Sequence, residues 1–412
     1  MAQIFPFQPY RYSASAGPLD ALVTQPYDKI TPWMRARYLS LSPYNLVRVI
    51  LGERFDSDSA AENVYTRAGA YLKDWIARGV LVKEAEPALF AYFQEFAVPD
   101  TGERLVRKGF IGLGAVEDYS EGVVCRHEQT LSGPKKDRLE LLRHTHAHAG
   151  QLFMLYPDPE GEIDRILDEA STGALTAAVT DEYQTVHSLW KIANPERIAA
   201  IARAMAAKKL LIADGHHRYE TALAFRNENP DLADARRVMM TLVNMHSRGL
   251  KILATHRLVS GLADFDAQAL IGAAGLAPVG ELAALRKLWA EPHVGRVRIG
   301  VALAGAEPLY VYEAKRGEGE LDVPVLHERL LGGALGIGEE AVREEKNIRY
   351  VRGAEPAIDE VRRGSAQAAF LLEPTPIGDV ARIAFAGGVM PQKSTDFYPK
   401  LLSGLTIYKL EK

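Results

Sequence analysis

Apolar side chains at Tyr65, Ala68, Leu72 and Ile76 recur every three or four positions and predict a helix over residues 60–77. Gly69 falls inside that stripe and weakens it, because glycine is a poor helix former. Two runs at 89–98 and 105–113 are strand-like, and Pro99-Asp100-Thr101-Gly102 between them is turn chemistry, so the pair predicts a hairpin. A short helix is expected at 137–144, a strand at 153–156, a helix at 163–170, and strands at 176–180 and 185–192. Asn194-Pro195-Glu196 then opens a helix running to about residue 207, with Asn as cap, Pro at the first helical position and Glu in the first turn. A strand at 210–213, a helix at 218–227 and a strand at 238–244 follow. The first 55 residues, rich in Pro, Tyr and Ser, predict short extended pieces, including an alternating stretch at 46–51. The last segment, 405–410, reads as a strand.

This alternation of strands and helices indicates a mixed α/β (α+β) fold rather than a bundle. The composition turns to Ala, Leu and Gly near residue 262, which divides the chain into regions 1–262 and 263–412. The second is an additional α/β region whose tail motif, 390–400, can return to a site in the first.

At 47% hydrophobic and 25% charged, the chain can bury an ordinary core. Its net charge of −4 argues against a general electrostatic grip on nucleic acid. The single cysteine, Cys125, allows no intrachain disulfide, fits a reducing compartment and reads as a packed strand residue. The first residues lack a basic stretch followed by an apolar run, and no apolar run reaches the roughly 18 residues of a membrane span. A cytoplasmic protein without membrane contact is the expectation.

Candidate chemistry concentrates where the 210–213 strand ends. Asp214-Gly215-His216-His217-Arg218 reads as strand end, tight turn and helix start. A helix N-terminus presents bare amides and partial positive charge, so phosphate binds there. Arg218 can clamp phosphate oxygens in a bidentate fashion, His216 and His217 can donate hydrogen bonds or move a proton, and Asp214 can hold Mg²⁺ or accept a hydroxyl proton. Asp28, Asn45 and Arg48 are candidate substrate contacts. Glu128 suits acid–base work, Lys135 and Arg138 suit phosphate charge, and Lys393, Ser394 and Thr395 form a polar loop able to meet phosphate. His144, His146 and His148 lack diagnostic metal-ligand spacing and read as structural. There is no Walker motif and no Gly-x-Ser-x-Gly elbow.

These pieces resemble one family. Asp214-Gly215-His216-His217-Arg218-Tyr219-Glu220-Thr221-Ala222 is similar to the signature of domain-of-unknown-function family 1015. So are Gln25-Pro26-Tyr27-Asp28, Ser42-Pro43-Tyr44-Asn45-Leu46-Val47-Arg48, His127-Glu128-Gln129-Thr130, Gly133-Pro134-Lys135-Lys136-Asp137-Arg138, Met390-Pro391-Gln392-Lys393-Ser394-Thr395 and Phe397-Tyr398-Pro399-Lys400. The Asp-Gly-His-His-Arg segment in turn resembles the phosphate motif of the ParB and sulfiredoxin-like superfamily, which implies a ParB/sulfiredoxin-like core. Of its members, the free-serine kinases look nearest. Histidines stand where sulfiredoxin carries its cysteine, which argues against sulfur chemistry. The resemblance implies a nucleotide-dependent phosphotransferase using ATP or ADP with Mg²⁺ on a small hydroxylated metabolite, with L-serine the first candidate. A non-catalytic nucleotide switch or scaffold of ParB type, or a phosphate-ester hydrolase, would use the same cradle.

Overall fold

The structure is a computed structural model that describes residues 1–128, 132–317 and 319–411, with no side-chain description at 132–134. Residues 129–130 of the His127-to-Thr130 motif therefore lie outside the described residues. The chain forms two compact units, one of residues 1–251 and 399–412, the other of residues 252–398.

The first unit is built on a nine-stranded mixed sheet. Its strands are β1 (Ile4–Phe5), β2 (Leu89–Ala97), β3 (Arg104–Ala115), β4 (Val124–Cys125), β5 (Leu152–Tyr156), β6 (Ala177–Thr180), β7 (Val186–Ile192), β8 (Leu210–Asp214) and β9 (Arg237–Asn244). They lie in the order β4-β8-β5-β9-β3-β2-β7-β6, with β1 also paired to β3. β2 and β3 are the expected hairpin, antiparallel with Phe90 opposite Ile111 and Ala97 opposite Arg104. The β4–β8 and β9–β5 pairs are parallel, which makes the sheet mixed.

The helices are α1 (Pro32–Leu41), α2 (Val64–Ala77), α3 (Ser132–Thr145), α4 (Glu162–Ser171), α5 (Pro195–Ala206) and α6 (His216–Glu228). Ile163 and Leu167 of α4, Ile201 and Met205 of α5 and Tyr219 of α6 pack with Leu152, Met154 and Ile212 of the sheet into one buried cluster. A second cluster gathers Leu72 and Trp75 of α2 with Leu46, Val49 and Ile407.

Several elements differ from the expectation. α2 starts at Val64, not residue 60, because Asn63 and Thr66 form a capping box. Gly69 does more for α2 than it costs: a Cβ there would stand 2.6 Å from the His144 carbonyl oxygen, so glycine lets α2 approach the end of α3. α1 replaces an expected extended segment; Thr31 caps it by accepting from Met34 N at 3.2 Å, and Pro32 opens it. Val47–Ile50 is likewise a helical turn, not an alternating strand. At the end of the chain only Tyr408–Lys409 is a strand, paired with Ala147–His148, while the stretch before it is spent on single bridges such as Tyr10 to Ile407 and Thr24 to Ser403.

The second unit has its own six-stranded sheet of β10 (Thr255–Val259), β11 (Ala277–Gly280), β12 (Arg296–Leu303), β13 (Leu309–Lys315), β14 (Ile348–Arg352) and β15 (Ala368–Leu371), ordered β11-β13-β12-β15-β10-β14. Val297, Ile299, Val301 and Phe370 anchor its core. Among the described residues, no helix is long and apolar enough to cross a membrane.

Candidate phosphate-binding site

β8 ends at Asp214, Gly215 turns the chain, and α6 starts at His216. Gly215 has φ +97°, and a Cβ there would meet Arg218 Nη2 at 3.0 Å and Leu152 Cδ2 at 3.0 Å. Both the backbone conformation and the space demand glycine. Gly215 offers no side chain to cap α6 and no acidic residue stands in its first turn, so the helix's own residues leave its positive end unneutralised.

Arg218 folds back across the turn. Its Nη2 donates to Asp214 Oδ2 at 2.7 Å and its Nη1 donates to the Gln151 carbonyl. Lys400 Nζ reaches Asp214 Oδ1 at 3.4 Å. Burial pushes the Asp214 carboxyl up, but Lys400, Arg218 and Lys29 together outweigh it and hold the group well below the usual carboxylate range. The Asp214 carboxylate thus faces two cations, Arg218 and Lys400, at the start of α6, while Lys29 is paired with Asp28. A carboxyl held so low is a weak base; it serves as a counterion and an anchor for Arg218.

His216 is buried, and burial with the neighbouring His127 drives its imidazole well below 6.5, so it is neutral at pH 7. Its ring meets that of His127 edge to face, with centroids 4.8 Å apart, and its Nε2 has no hydrogen-bond partner among the described residues. His127 is pushed down to about 4 by burial, although the Ile212 carbonyl at 2.7 Å from its Nδ1 works the other way. His217 lies in the first turn, where its carbonyl accepts from Thr221 Oγ1 at 2.7 Å.

A cavity of about 70 Å³ opens beside this junction, lined by Tyr27, Arg138, His148, Arg218 and Ser403 among others. Arg138 lies over the Tyr27 ring at 4.1 Å and donates to the Ile50 carbonyl at 2.7 Å. Pro26 and Tyr27 share this cavity wall with Arg218, which puts the turn that carries Asp28 and Lys29 next to the junction.

The other residues singled out by sequence are placed as follows. Asp28 forms an ion pair with Lys29 at 3.6 Å. Lys135 pairs with Glu220 of α6, which Arg126 also approaches at 3.6 Å. Glu128 is half-buried directly after His127. Asn45 is fully buried with its amide spent on the backbone: Nδ2 donates to Ala21 O at 2.8 Å and Oδ1 accepts from Val47 N at 2.9 Å. Arg48 donates to Leu39 O at 3.0 Å and borders a separate small cavity beside Gly52 and Glu53. Lys393, Ser394 and Thr395 belong to the second unit, where the Lys393 carbonyl accepts from Arg257 at 3.0 Å and the Ser394 hydroxyl donates to Pro391 O at 2.7 Å.

Lys400 was not among the residues singled out, yet its Nζ stands 3.4 Å from Asp214 Oδ1. Lys400 closes the Phe397-Tyr398-Pro399-Lys400 motif, which was the available signal. A buried network also had none: Asp181 Oδ2 stands 3.1 Å from His187 Nε2 and accepts from Gln25 at 3.1 Å, while His187 Nδ1 meets the Tyr92 hydroxyl at 2.7 Å. Gln94 joins it to the Lys400 carbonyl at 2.8 Å. Arg107 is 1% exposed beneath, bound to Gln94 and the Pro399 carbonyl, and burial pushes it down to about 9.

As for metal, no group of three or more His, Cys, Asp or Glu among the described residues is arranged to hold an ion. Asp214 already serves two cations, so the residues present do not form a magnesium cage.

Residues 4–322 match the family described as "Protein of unknown function (DUF1015)". The chain belongs to this family. The Asp214 signature lies within the matched stretch, while Lys400 lies beyond it. No curated protein matches the chain. Among solved structures, a free serine kinase in complex with AMP is 14% identical, over 69% of this chain and 89% of that one, with a TM-score of 0.36. A conserved hypothetical protein from Pyrococcus furiosus is 14% identical over 69% and 92%, with a TM-score of 0.36. SbnI with a C-terminal truncation, from Staphylococcus aureus, is 11% identical over 72% and 87%, with a TM-score of 0.37. Scores of this size leave the argument to the chain's own residues.

Proposed function

We propose that this family member is a nucleotide-dependent phosphotransferase for a small hydroxylated metabolite, with the phosphates held at the Asp214 junction. The observation that carries the reading is the pairing there: Arg218 at 2.7 Å and Lys400 at 3.4 Å both hold the Asp214 carboxylate at a helix N-terminus whose own first turn carries no acidic residue. Phosphoryl transfer asks a protein mainly for positioning and for stabilisation of charge on the moving group. Arg218 is positioned in advance by Asp214 and Gln151, so little ordering remains when an anion arrives. The α6 amides add donors on the same side. The neutral His216 imidazole can hydrogen-bond a hydroxyl or a phosphate oxygen without placing a further charge in the buried turn. ATP or ADP is the donor in this scheme, the divalent ion entering with the nucleotide rather than in a protein cage, and L-serine is the first acceptor, as the sequence resemblance implies.

The test is phosphorus NMR of the full chain with ATP or ADP, magnesium and a panel of hydroxylated metabolites headed by serine. A new phosphate monoester with serine or another member of the panel is expected, and it should disappear in Arg218→Met. Nucleotide binding with no phosphorylated acceptor overturns the reading. Free phosphate without acceptor would then indicate a hydrolase, and a nucleotide-dependent change in light scattering a switch.

A further inference from the structure

The first unit holds a second and larger cavity, of about 310 Å³, with Asp20, Thr24, Arg37, Tyr38, Asp181 and Glu182 in its wall. That is at the lower end of the roughly 300–1,000 Å³ usual for small-molecule sites. Thr24 is 1% exposed, and its Oγ1 has no hydrogen-bond partner among the described residues. Its backbone is fully used, donating to Ser403 O at 3.1 Å and accepting from Ser403 N at 2.8 Å, so the hydroxyl is the one group left over. A buried hydroxyl left unpaired is a cost that a ligand atom can remove.

The wall is also net negative, with three carboxylates against the one guanidinium of Arg37. Tyr38 donates its hydroxyl to Glu182 and so fixes that carboxylate in place. Asp181 is held as an anion by His187, Gln25 and the amides of Tyr183 and Thr185.

We propose that this cavity binds a small molecule carrying a protonated amine, whose ammonium donates to the Thr24 hydroxyl oxygen and the Glu182 carboxylate. Thr24 pairs with Ser403, and Pro26, Tyr27 and Ser403 line the cavity beside Arg218. The two stretches joined by that bridge therefore border both cavities, Thr24 and Leu402 on one side, Pro26, Tyr27 and Ser403 on the other. An amine bound on one side touches the segment that carries Lys400 on the other. The proposal does not depend on phosphate chemistry at Asp214.

Titration calorimetry of the full chain with ethanolamine and putrescine, and with acetate as the anionic comparator, tests it. Binding of an amine and not of acetate is expected. Glu182→Gln should weaken it about tenfold or more, the loss of one charge-assisted hydrogen bond. Thr24→Val, which keeps the side-chain shape, should weaken it severalfold without lowering the thermal midpoint. If Glu182→Gln fails to fold, Thr24→Val alone decides. Asp214→Asn should leave amine binding intact, which separates this site from the phosphate site. No amine binding at millimolar concentration, unchanged affinity in Thr24→Val, or preference for acetate each overturns the proposal.

Discussion

Asp214→Asn removes the one negative charge at the α6 junction while keeping its shape. In the native protein that charge stands 2.7 Å from Arg218 Nη2 and 3.4 Å from Lys400 Nζ. At an effective dielectric of about 20 the gross attractions are roughly 6 and 5 kcal/mol. Most of this is offset by taking the three groups out of water, since their side chains are 21%, 16% and 10% exposed. What the variant shows is the cost of leaving buried cations unpaired, about 3–5 kcal/mol when one partner of a buried pair is removed. The lower end applies, because Arg218 keeps the Gln151 carbonyl and asparagine can still accept one hydrogen bond. The expected loss is therefore about 3 kcal/mol at pH 7. With two units in the chain, a single global midpoint is ill-defined. Hydrogen exchange of the β8 amides reports the first unit alone.

The difference between the two proteins depends on pH in a definite sense. The Asp214 carboxyl is lower in the folded than in the unfolded chain, so its contribution is full above the ordinary carboxylate value of about 4 and is lost as pH falls through the folded value. The gap should hold from neutral pH to about 5 and then narrow toward lower pH. His148, pushed down to about 4 by burial alone, destabilises the two proteins alike as pH falls below about 6.5 and cancels in the difference, whereas His127 and His216 feel the Asp214 charge, so the comparison is read above about pH 4. A gap under about 0.5 kcal/mol at pH 7, within the usual scatter of surface substitutions, refutes the counterion role. So does a gap that stays constant through the acid range.

Gly215→Ala should destabilise the first unit by about 1–3 kcal/mol through its positive φ alone. The new Cβ also displaces Arg218, so ADP affinity measured by calorimetry should fall about tenfold, and unchanged affinity would show that Arg218 does not bind phosphate. Trp75→Ala should cost about 3–5 kcal/mol by hydrogen exchange of α2, because the ring is 1% exposed and packs against Tyr12, Tyr44 and Tyr71.

Local signals were legible and close approaches were not. Asn194 and Pro195 announced α5, and the turn chemistry of Pro99-Asp100-Thr101-Gly102 between two strand-like runs announced the β2–β3 hairpin, because caps and turns are short-range chemistry. α1 was missed although Thr31-Pro32 carries a start signal. Its sequence gives no apolar stripe, since only Met34 and Tyr38 are buried. Gly69 looked like a flaw and is a contact requirement set by a carbonyl 75 positions away. At the site, the contiguous residues 214–218 could be read as a junction, but the pairing of Asp214 with Lys400 spans 186 positions and leaves no spacing to detect.

The bulk charge of −4 hid what the site requires. A small excess of carboxylates over the whole chain, 53 against 49 Lys and Arg, sets that figure, and exposed charges are screened. Around Asp214 the count runs the other way, and the layer beneath reinforces it. Arg107 lies against the Phe153 ring, 4.5 Å from its centroid, and β5 pairs Phe153 with Asp214. The same guanidinium binds the Pro399 carbonyl, so the group that supplies buried positive charge also fixes the backbone next to Lys400. Burial takes Arg107 down to about 9, still protonated at pH 7. A carboxylate in such surroundings neutralises only part of the field. The remainder is available to a second anion, and a buried, positioned cation costs no reorganisation when that anion arrives. Positive charge at the junction is therefore built into the floor of the sheet, not only into the Asp214 turn.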